Sequence, residues 1–431
     1  MMSAPRDNTL LQPASTAGSR HVIVVGAGIV GIATALQLRL AGCAVTLLDR
    51  GEPAMETSYG NAGAFAVSDI IPLAEPGVLR KVPGWMFDPL GPLALRWRYL
   101  PSLTPWLLRF LAASRPSRVA ELTRQLNALL SRVNADYAPL IERAGLASMW
   151  RRHGNLTLYR SEAEFRAAAG AWHSKRQHGV EWRKLDRADL AAIAPQIGDE
   201  WQVAVQVPQW SHVDDPYLFS RGLFDAFIRE GGRFIQDEVL ATAANVGRIV
   251  GVDTAGNGRL QADTVVIACG VWSDRFARQQ RCRLPLESER GYHVTLPNAG
   301  VALHHFIQCA SESFVILPMA NGGLRLAGTV ELAHRDAPPN WQRAHILIER
   351  ARRIVGDFST EGMSVWMGNR PSLPDTIPVI GPAPDCGGLY FATGHGHLGL
   401  TLAATTGALL TEQICGQACS LDASAYRPDR F

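Results

Sequence analysis

The stretch His21–Arg50, HVIVVGAGIVGIATALQLRLAGCAVTLLDR, decides the fold. Its first apolar run, Val22 to Val25, is typical of a buried strand, and apolar residues then repeat at helical spacing. Gly42 lies where a glycine commonly ends a helix. A second apolar run from Ala44 to Leu48 is closed by Asp49. The stretch therefore predicts a strand, a tight turn, a helix and a second strand.

The turn in this stretch carries Gly26, Gly28 and Gly31 in the spacing G-x-G-x-x-G. The first glycine allows a sharp turn, the second lets backbone approach a pyrophosphate, and the third lets the helix pack close to the strand. Asp49 follows Gly31 by 18 residues and can accept hydrogen bonds from ribose hydroxyls. An acid at this strand end disfavours NADP. The flanking strand and helix favour a dinucleotide site over an ordinary glycine turn.

The whole chain has an ordinary globular composition. Its 431 residues exceed one typical domain and indicate two, and 47% of them are hydrophobic and 19% charged. A net charge of +3 and the lack of a recognised nucleic-acid motif argue against a nucleic-acid partner. The seven cysteines are scattered and form no C-x-x-C pair, which is typical of free thiols. We therefore expect a cytoplasmic protein, in a reducing compartment.

Two segments bear on targeting and membrane contact. Residues 1–20 lack the apolar core of a signal peptide and predict a mobile tail. No run reaches the ~18 apolar residues that span a bilayer. Residues 80–118 combine aromatic side chains with seven basic residues and one acid, Asp88, which suits peripheral contact with the inner face of the cytoplasmic membrane. The alternative is a set of short, proline-broken helices packed on the core.

Three further segments are candidates for contact with a ligand. The small and polar loop at 51–65, GEPAMETSYGNAGAF, can run close to a flat ligand or form a surface turn. The apolar strand at 263–269 ends in Gly-x-Trp-Ser, where a ligand can lie beside the sheet. A glycine-rich turn at 394–399 precedes a predicted helix at 400–414, whose N-terminus can stabilise negative charge.

A family resemblance is carried by four segments in order: GAGIVGIATA (26–35), ETSYGNAG (56–63), CGVWSD (269–274), and GNRPSLPDTIPVIGP with ATGHGHLGLT (368–382 and 392–401). The chain resembles the FAD-dependent amine and D-amino acid oxidoreductases of the D-amino acid oxidase superfamily. Within it, the chain is most similar to bacterial D-amino acid dehydrogenases, including D-hydroxyproline dehydrogenases. The likeness spans nearly the whole chain after residue 20.

The resemblance implies an α/β fold with a glutathione-reductase-type FAD-binding domain and an interleaved α+β substrate domain containing a mixed sheet. The FAD-binding domain would comprise residues 21–66, 200–282 and 356–431. The substrate domain would comprise residues 67–199 and 283–355. Residues 284–330 themselves look like an antiparallel block of strands, which is the best candidate for the second domain's sheet.

The same resemblance implies the cofactor contacts. The glycine loop would approach the FAD pyrophosphate, Asp49 the ribose, and the C-terminal glycine turn the flavin pyrimidine edge. In chain order the implied residues are Gly26, Ala27, Gly28, Ile29, Val30, Gly31, Asp49, Arg50, Ser58, Asn61, Gly63, Val239, Gly270, Trp272, Gly396, His397, Leu398 and Gly399. The early loop lacks the histidine that marks covalent flavin in some relatives, so FAD is expected to be noncovalent.

The candidate substrate residues are fewer. Arg370 matches the arginine that binds the substrate carboxylate in related enzymes, because a guanidinium binds carboxylate bidentately and stays charged; without the likeness, a surface arginine would be favoured. Tyr292 and His293 either line the pocket, where they could bind the carboxylate or accept a proton, or pack within a strand. His395 is expected near the flavin edge. His395 and His397 lack a third ligand, so no metal is expected. No acid identifies itself as a required base.

The resemblance implies an FAD-dependent D-amino acid dehydrogenase, which oxidises its substrate to the imine and then the 2-oxo acid by hydride transfer to flavin N5. D-proline and cis-4-hydroxy-D-proline are the substrates to test first. A single dinucleotide fingerprint predicts that substrate, and not NAD(P)H, reduces the flavin. A quinone or a carrier protein would accept the electrons. The alternatives are an oxidase that uses O2 and a flavin-holding subunit that is active only with a partner chain.

Overall fold

The computed structural model describes residues 20–75, 90–91, 93–309, 311–312 and 314–431. The predicted tail before residue 20 lies outside these ranges. So do the residues of the 80–118 segment that precede residue 90, including Asp88, and the Trp97 side chain. Within its described residues, that segment forms a short strand and helices, and none of the described helices is both long and apolar enough to span a membrane.

The α-helices within the described residues are α1 Ile29–Leu40, α2 Leu100–Ala113, α3 Pro116–Leu130, α4 Val133–Ala144, α5 Glu162–Gln177, α6 Arg187–Ile193, α7 Pro216–Arg229, α8 Ser273–Gln279, α9 Gln342–Val355 and α10 Gly399–Ile414. The first strands are β1 His21–Val25, β2 Ala44–Asp49, β3 Ala64–Phe65, β4 Leu93–Leu95, β5 Trp150–Arg151, β6 Asn155–Tyr159, β7 Arg183–Leu185, β8 Val203–Val207, β9 Ser211–Val213 and β10 Arg233–Gln236. The later strands are β11 Val239–Asn245, β12 Arg248–Thr254, β13 Gly258–Gln261, β14 Thr264–Ile267, β15 Glu287–Leu296, β16 Phe306–Cys309, β17 Phe314–Pro318, β18 Leu324–Leu332, β19 Ser364–Ser372, β20 Val379–Pro382 and β21 Leu389–Thr393.

The predicted strand, turn, helix and strand are confirmed as β1, α1 and β2. β1 and β2 run parallel, with Val25 opposite Leu48. Gly42 follows α1 with a φ of +90°, a conformation that favours glycine. α1 packs against α10, and Gln37 of α1 donates a hydrogen bond to the Ala404 carbonyl at 2.7 Å.

The first large sheet has the order β10-β2-β1-β14-β21-β20 within the described residues. Its strands are parallel except β20, which is antiparallel to β21. One face packs on α1, α7 and α10, while the other packs on the antiparallel sheet β11-β12-β13. Apolar side chains on both faces of β1 and β14 are therefore buried, as expected for a parallel sheet between two layers.

The second large sheet has the order β19-β15-β18-β17-β16-β6-β8-β7, with β4 beside β18. Most neighbours are antiparallel, but β6 with β16 and β4 with β18 are parallel, so the sheet is mixed. Leu347, Ala351 and Ile354 of α9 pack on one face of it. The mixed sheet agrees with the expected fold class.

Sheet pairing crosses the predicted domain boundaries in three places, and one of them is the pairing of β5 with β9. β8 follows residue 200 but pairs with β6 and β7 in the second sheet. β19 follows residue 356 but pairs with β15 in that same sheet. The assignment of residues 203–207 and 364–372 to the FAD-binding domain therefore disagrees with the strand pairing. Long-range pairing of this kind leaves no local signal in a sequence.

Candidate active site

A cavity of about 1000 Å³ is lined by residues of both large sheets. Val25, Leu48 and Ala268 line it at the carboxyl ends of β1, β2 and β14. In open parallel sheets, ligands bind in the crevice outside these strand ends. The volume lies at the upper end of the roughly 300–1,000 Å³ range of small-molecule sites, which suits a large ligand.

The glycine loop forms a cradle with no room for side chains. Gly26 has a φ of +106°, and a Cβ there would lie 2.5 Å from the Ala268 carbonyl oxygen. A Cβ on Gly31 would lie 1.8 Å from the Gly26 oxygen, so α1 starts directly against the turn. Bare backbone is thereby presented to the cavity, which is what close approach to a pyrophosphate requires.

Asp49 and Ser58 hold this loop in place. The Asp49 carboxylate accepts hydrogen bonds from the amides of Ala27, at 2.7 Å, and Gly51, at 2.9 Å. Burial raises the pKa of Asp49, and the two amide hydrogen bonds oppose that shift. Ser58 accepts a hydrogen bond from the Ile29 amide at 2.9 Å. Both side chains thus hold the start of α1, where the helix dipole favours an anion.

Arg50 and Arg275 line another part of the cavity wall. The Arg50 guanidinium lies over the Trp272 ring, 4.6 Å from its centroid. Arg275 donates to the Val239 carbonyl at 2.5 Å and pairs with Glu238 at 3.3 Å. The sequence pattern does not single out Arg275 or Glu238. The sequence feature that could have identified Arg275 is its position three residues after the Gly-x-Trp motif, in α8.

Most of the predicted cofactor positions line the cavity: Gly26, Gly28, Ile29, Val30, Asp49, Arg50, Ser58, Asn61, Val239, Gly270, Trp272, Gly396, His397 and Gly399. Ala27, Gly31, Gly63 and Leu398 do not line it. Ala27 and Leu398 are part of the buried core, and Gly31 packs on the turn. The Gly63 amide donates to the Asn61 side chain at 2.8 Å. These four residues therefore support the residues that line the cavity and do not line it themselves.

Arg370 lies in β19, directly opposite Glu289 of β15. Its Nη1 is 3.1 Å from Glu289 Oε1. Its guanidinium lies over Gly291, where a Cβ would come within 2.4 Å of Nη2. All three residues line the cavity. Arg370 is thus in a strand of the site and not in a surface loop. The sequence pattern does not single out Glu289 or Gly291, because the register between the two strands is not visible in it.

Tyr292 and His293 both have contacts that favour the strand-packing alternative. The Tyr292 hydroxyl donates to Glu331 at 2.6 Å and accepts from the Asn340 amide at 3.0 Å, so it is fully engaged, although Tyr292 borders the cavity. His293 does not line the cavity. It donates from Nδ1 to the Gly60 carbonyl at 3.1 Å and stacks on the ring of Trp366, which does line it.

His395 lines the cavity but is turned toward α10, with Nε2 2.9 Å from the Thr406 hydroxyl. Burial lowers the pKa of His395 to about 3, so the ring is neutral at physiological pH. His397 is partly exposed and lies 4.0 Å from Asp69. Within the described residues, no group of three histidine, cysteine, aspartate or glutamate side chains could hold a metal ion.

Buried neutral histidines predict a loss of stability in acid. Burial lowers the pKa values of His212, His293 and His395 to about 4, about 3 and about 3. Their unfolded-state pKa is about 6.5, so below that pH the unfolded chain binds protons that the folded chain does not. We expect the free energy of unfolding to fall by about 1.4 kcal/mol per pH unit for each such histidine as the pH drops from about 6.5 towards about 4.

Thermal unfolding of the holoprotein at a series of pH values checks this expectation. His395→Gln should flatten the dependence of the unfolding midpoint on pH, because one of the groups that bind a proton on unfolding is removed. His345 is exposed, so His345→Gln serves as the control and should leave the dependence unchanged. Equal slopes in all three proteins would contradict the assignment of His395 as a neutral buried group.

The fold and the cradle define a dinucleotide-binding protein whose site lies between a parallel sheet and a mixed sheet. The sequence profile of the family described as "FAD dependent oxidoreductase" (DAO) matches residues 21–413. The chain therefore belongs to this family, and it is an FAD-dependent oxidoreductase.

Individual relatives match over nearly the full length. The chain is 34% identical to a D-amino-acid oxidase of Bradyrhizobium diazoefficiens, over 96% of this chain and 99% of the relative. It is 33% identical to a D-amino acid dehydrogenase of Paramagnetospirillum magneticum, over 95% of this chain and 98% of the relative. Its fold is similar to those of glycine oxidase from Geobacillus kaustophilus (TM-score 0.72, 20% identity, 96% and 100% coverage) and L-proline dehydrogenase from P. horikoshii (TM-score 0.74, 17% identity, 96% and 98% coverage).

The described residues fit FAD. A Cβ on Gly26 or Gly31 would collide with the backbone of Ala268 or Gly26, so the turn is as tight as a pyrophosphate-binding loop requires, and Gly26 and Gly28 border the cavity there. The amide of Gly28 has no hydrogen-bond partner within the described ranges, so it can donate to a phosphate at the start of α1. Arg370 of the second large sheet lines the same cavity as this loop.

Proposed function

We propose that the protein is a D-amino acid dehydrogenase with noncovalent FAD. It oxidises a D-amino acid to the imine, which water converts to a 2-oxo acid and ammonia when the amine is primary. The observation that carries the proposal is Arg370, held in a strand at the wall of the cavity beside Glu289. The names of the relatives at 30–34% identity, D-amino-acid oxidase and D-amino acid dehydrogenase, support the substrate class and its hand.

Arg370 fixes the substrate by its carboxylate. A guanidinium has five N–H donors in a rigid fork, and Glu289 takes only Nη1, so others remain for a substrate carboxylate. Two parallel charge-assisted hydrogen bonds fix both position and orientation, which presents one face of the Cα centre to the cofactor. FAD, when bound, would supply the acceptor for the hydride of Cα.

The amine must be neutral when the hydride leaves, because its lone pair forms the C=N bond. The Cα–H bond breaks, one N–H proton is lost, and two electrons leave the substrate. Apolar side chains of Leu93, Leu95 and Leu332 border the cavity, limit access of water and suit a cyclic side chain. D-proline and cis-4-hydroxy-D-proline remain the first substrates to test.

Anaerobic reduction of the bound flavin tests the proposal. D- and L-amino acids are added one at a time to the FAD-loaded protein, and the visible flavin absorbance is followed. We expect one or more D-amino acids, cyclic ones included, to bleach the band, and their L-enantiomers to leave it unchanged. Bleaching by L-amino acids alone, or by no amino acid, would contradict the proposed substrate class.

The electron acceptor forms the second part of the proposal, and a quinone suits it best. Trp106, Leu107 and Phe110 of α2 line the cavity. Leu108 is 63% exposed, and Arg109 beside it is also exposed. An apolar wall on a helix with exposed leucine and arginine suits a lipid-soluble acceptor and peripheral contact with the inner face of the membrane.

Turnover in air separates this acceptor from the alternatives. A dehydrogenase reduces a soluble quinone analogue and consumes little O2 without it, whereas rapid O2 consumption without acceptor supports the oxidase, which the name of the Bradyrhizobium relative favours. Pure FAD-loaded protein that is inactive until a partner chain is added would support the flavin-holding subunit.

A further inference from the structure

The carboxylate of Glu289 faces the cavity beside Arg370 and has no role in the function proposed above. Its side chain is 8% exposed, and its Oε1 is 3.1 Å from Arg370 Nη1. Its other oxygen, Oε2, has no hydrogen-bond partner within the described ranges. A buried carboxylate with an unused oxygen at a cavity wall is suited to bind a cation.

Other carboxylates at the cavity wall have different partners. Asp49 and Asp237 accept backbone amides of neighbouring loops, and Glu238 pairs with Arg275 next to Val239. Glu289, in contrast, is the cross-strand neighbour of the arginine proposed to bind the substrate carboxylate. The wall thus presents a cationic and an anionic group side by side, which matches the two charges of an amino acid zwitterion.

We propose that Glu289 binds the ammonium group of the substrate and accepts one proton from it. This inference rests on the proposed function, because it requires Arg370 to hold the substrate carboxylate. One N–H bond of the ammonium breaks and an O–H bond forms at Oε2. The amine keeps the electron pair, which becomes the lone pair that forms the C=N bond. No oxidant or reductant takes part in this step.

The ion pair also accounts for the site before substrate binds. Without substrate, Glu289 and Arg370 neutralise each other, so neither charge is buried alone. A substrate carboxylate bound to Arg370 places the ammonium group beside Glu289. The two charges of the substrate are then paired with the two charges of the cavity wall, and the proton passes from the ammonium to the adjacent carboxylate.

The Glu289→Gln variant of the FAD-loaded protein tests this role, because glutamine keeps the shape and an oxygen for Arg370 but cannot take the proton. We expect kcat/KM for a D-amino acid to fall about 100-fold at neutral pH, which is the lower end of the rate contribution typical of a general base. The deficit should shrink as the pH approaches the pKa of the substrate's own amino group, since solvent then supplies the neutral amine. A deficit that is the same at every pH would overturn the proposal.

Propionate, which has the carboxylate but no amino group, provides the matched control. Its binding is measured by the change it causes in the flavin spectrum. We expect Glu289→Gln to bind propionate at least as tightly as the wild type, because Arg370 loses a competing carboxylate. Weaker propionate binding would mean that Glu289 only positions Arg370, which would overturn the proposal.

Glu289→Asp keeps the test decisive if the glutamine variant fails to hold FAD. It retains the proton acceptor and should keep the pH profile of the wild type with a lower kcat; a deficit that disappears at high pH would contradict the role of Glu289 as proton acceptor. Reduction of the flavin in the wild-type protein distinguishes failure of the proposed function from failure of the role of Glu289. If no D-amino acid reduces wild-type flavin, the proposed function fails; if it does and the variants disagree, only the role of Glu289 fails.

Discussion

Arg370→Ala is expected to lower kcat/KM for a D-amino acid by about 100- to 1000-fold while the protein keeps its FAD. The variant loses the charge-assisted fork that holds the substrate carboxylate, and loss of such a partner costs about 2–5 kcal/mol. It also leaves Glu289 buried without its cationic neighbour, which disfavours a second anion at the same place. Steady-state kinetics together with the ratio of flavin to protein absorbance measure the effect.

Two further variants make this result specific. Arg370→Lys keeps the positive charge but not the two parallel N–H donors. Its kcat/KM should therefore lie between those of the wild type and the alanine variant. Arg259 forms an arginine–carboxylate pair with Asp253, at 2.7 Å, but it is exposed and does not line the cavity. Arg259→Ala is therefore the matched control and should leave kcat/KM unchanged. Wild-type kinetics in an FAD-loaded Arg370→Ala protein would rule out the carboxylate role.

Gly26→Ala is expected to weaken FAD binding by about 100-fold. Its φ of +106° is unfavourable for any residue with a Cβ, and strain of this kind costs about 1–3 kcal/mol. The added Cβ would also lie 2.5 Å from the Ala268 carbonyl, so backbone must move where the pyrophosphate is expected to bind. Titration of the apoprotein with FAD, followed by flavin fluorescence, gives the change in Kd.

Gly42 provides a control with the same backbone conformation. Its φ is +90°, but a Cβ there would have no atom within 4 Å. Gly42→Ala should therefore lower the stability by about 1–3 kcal/mol and leave the Kd for FAD unchanged. If the two alanine variants bind FAD equally well, the glycine loop is not the cradle for the cofactor.

Local patterns in the sequence were sufficient for the first part of the fold. The strands, turn and helix of residues 21–49 are fixed by apolar periodicity and by glycines within one short stretch, so β1, α1 and β2 follow from the sequence. Local patterns do not show every break between helices. Apolar residues continue at helical spacing from α3 into α4, so they give no signal for the break at residues 131–132.

Contacts between distant strands could not be predicted in the same way. Glu289 and Arg370 are 81 residues apart, and only the register of β15 against β19 brings them together. Between Gly291 and Tyr292, β15 has an irregular register against β18. Such a bulge changes which side chains face one side of a sheet, so sequence alternation alone leaves the roles of Tyr292 and His293 open.

The membership of β19 in the second sheet constrains how this enzyme can be redesigned. Exchanging residues 283–355 with those of another family member, to change the substrate, would import a new partner strand in β15 but keep the host's Arg370. A mismatch at this one pair would leave a buried charge without its complement, however well each half folds. The exchanged segment should instead end after Ser372, so that Glu289 and Arg370 come from the same parent protein.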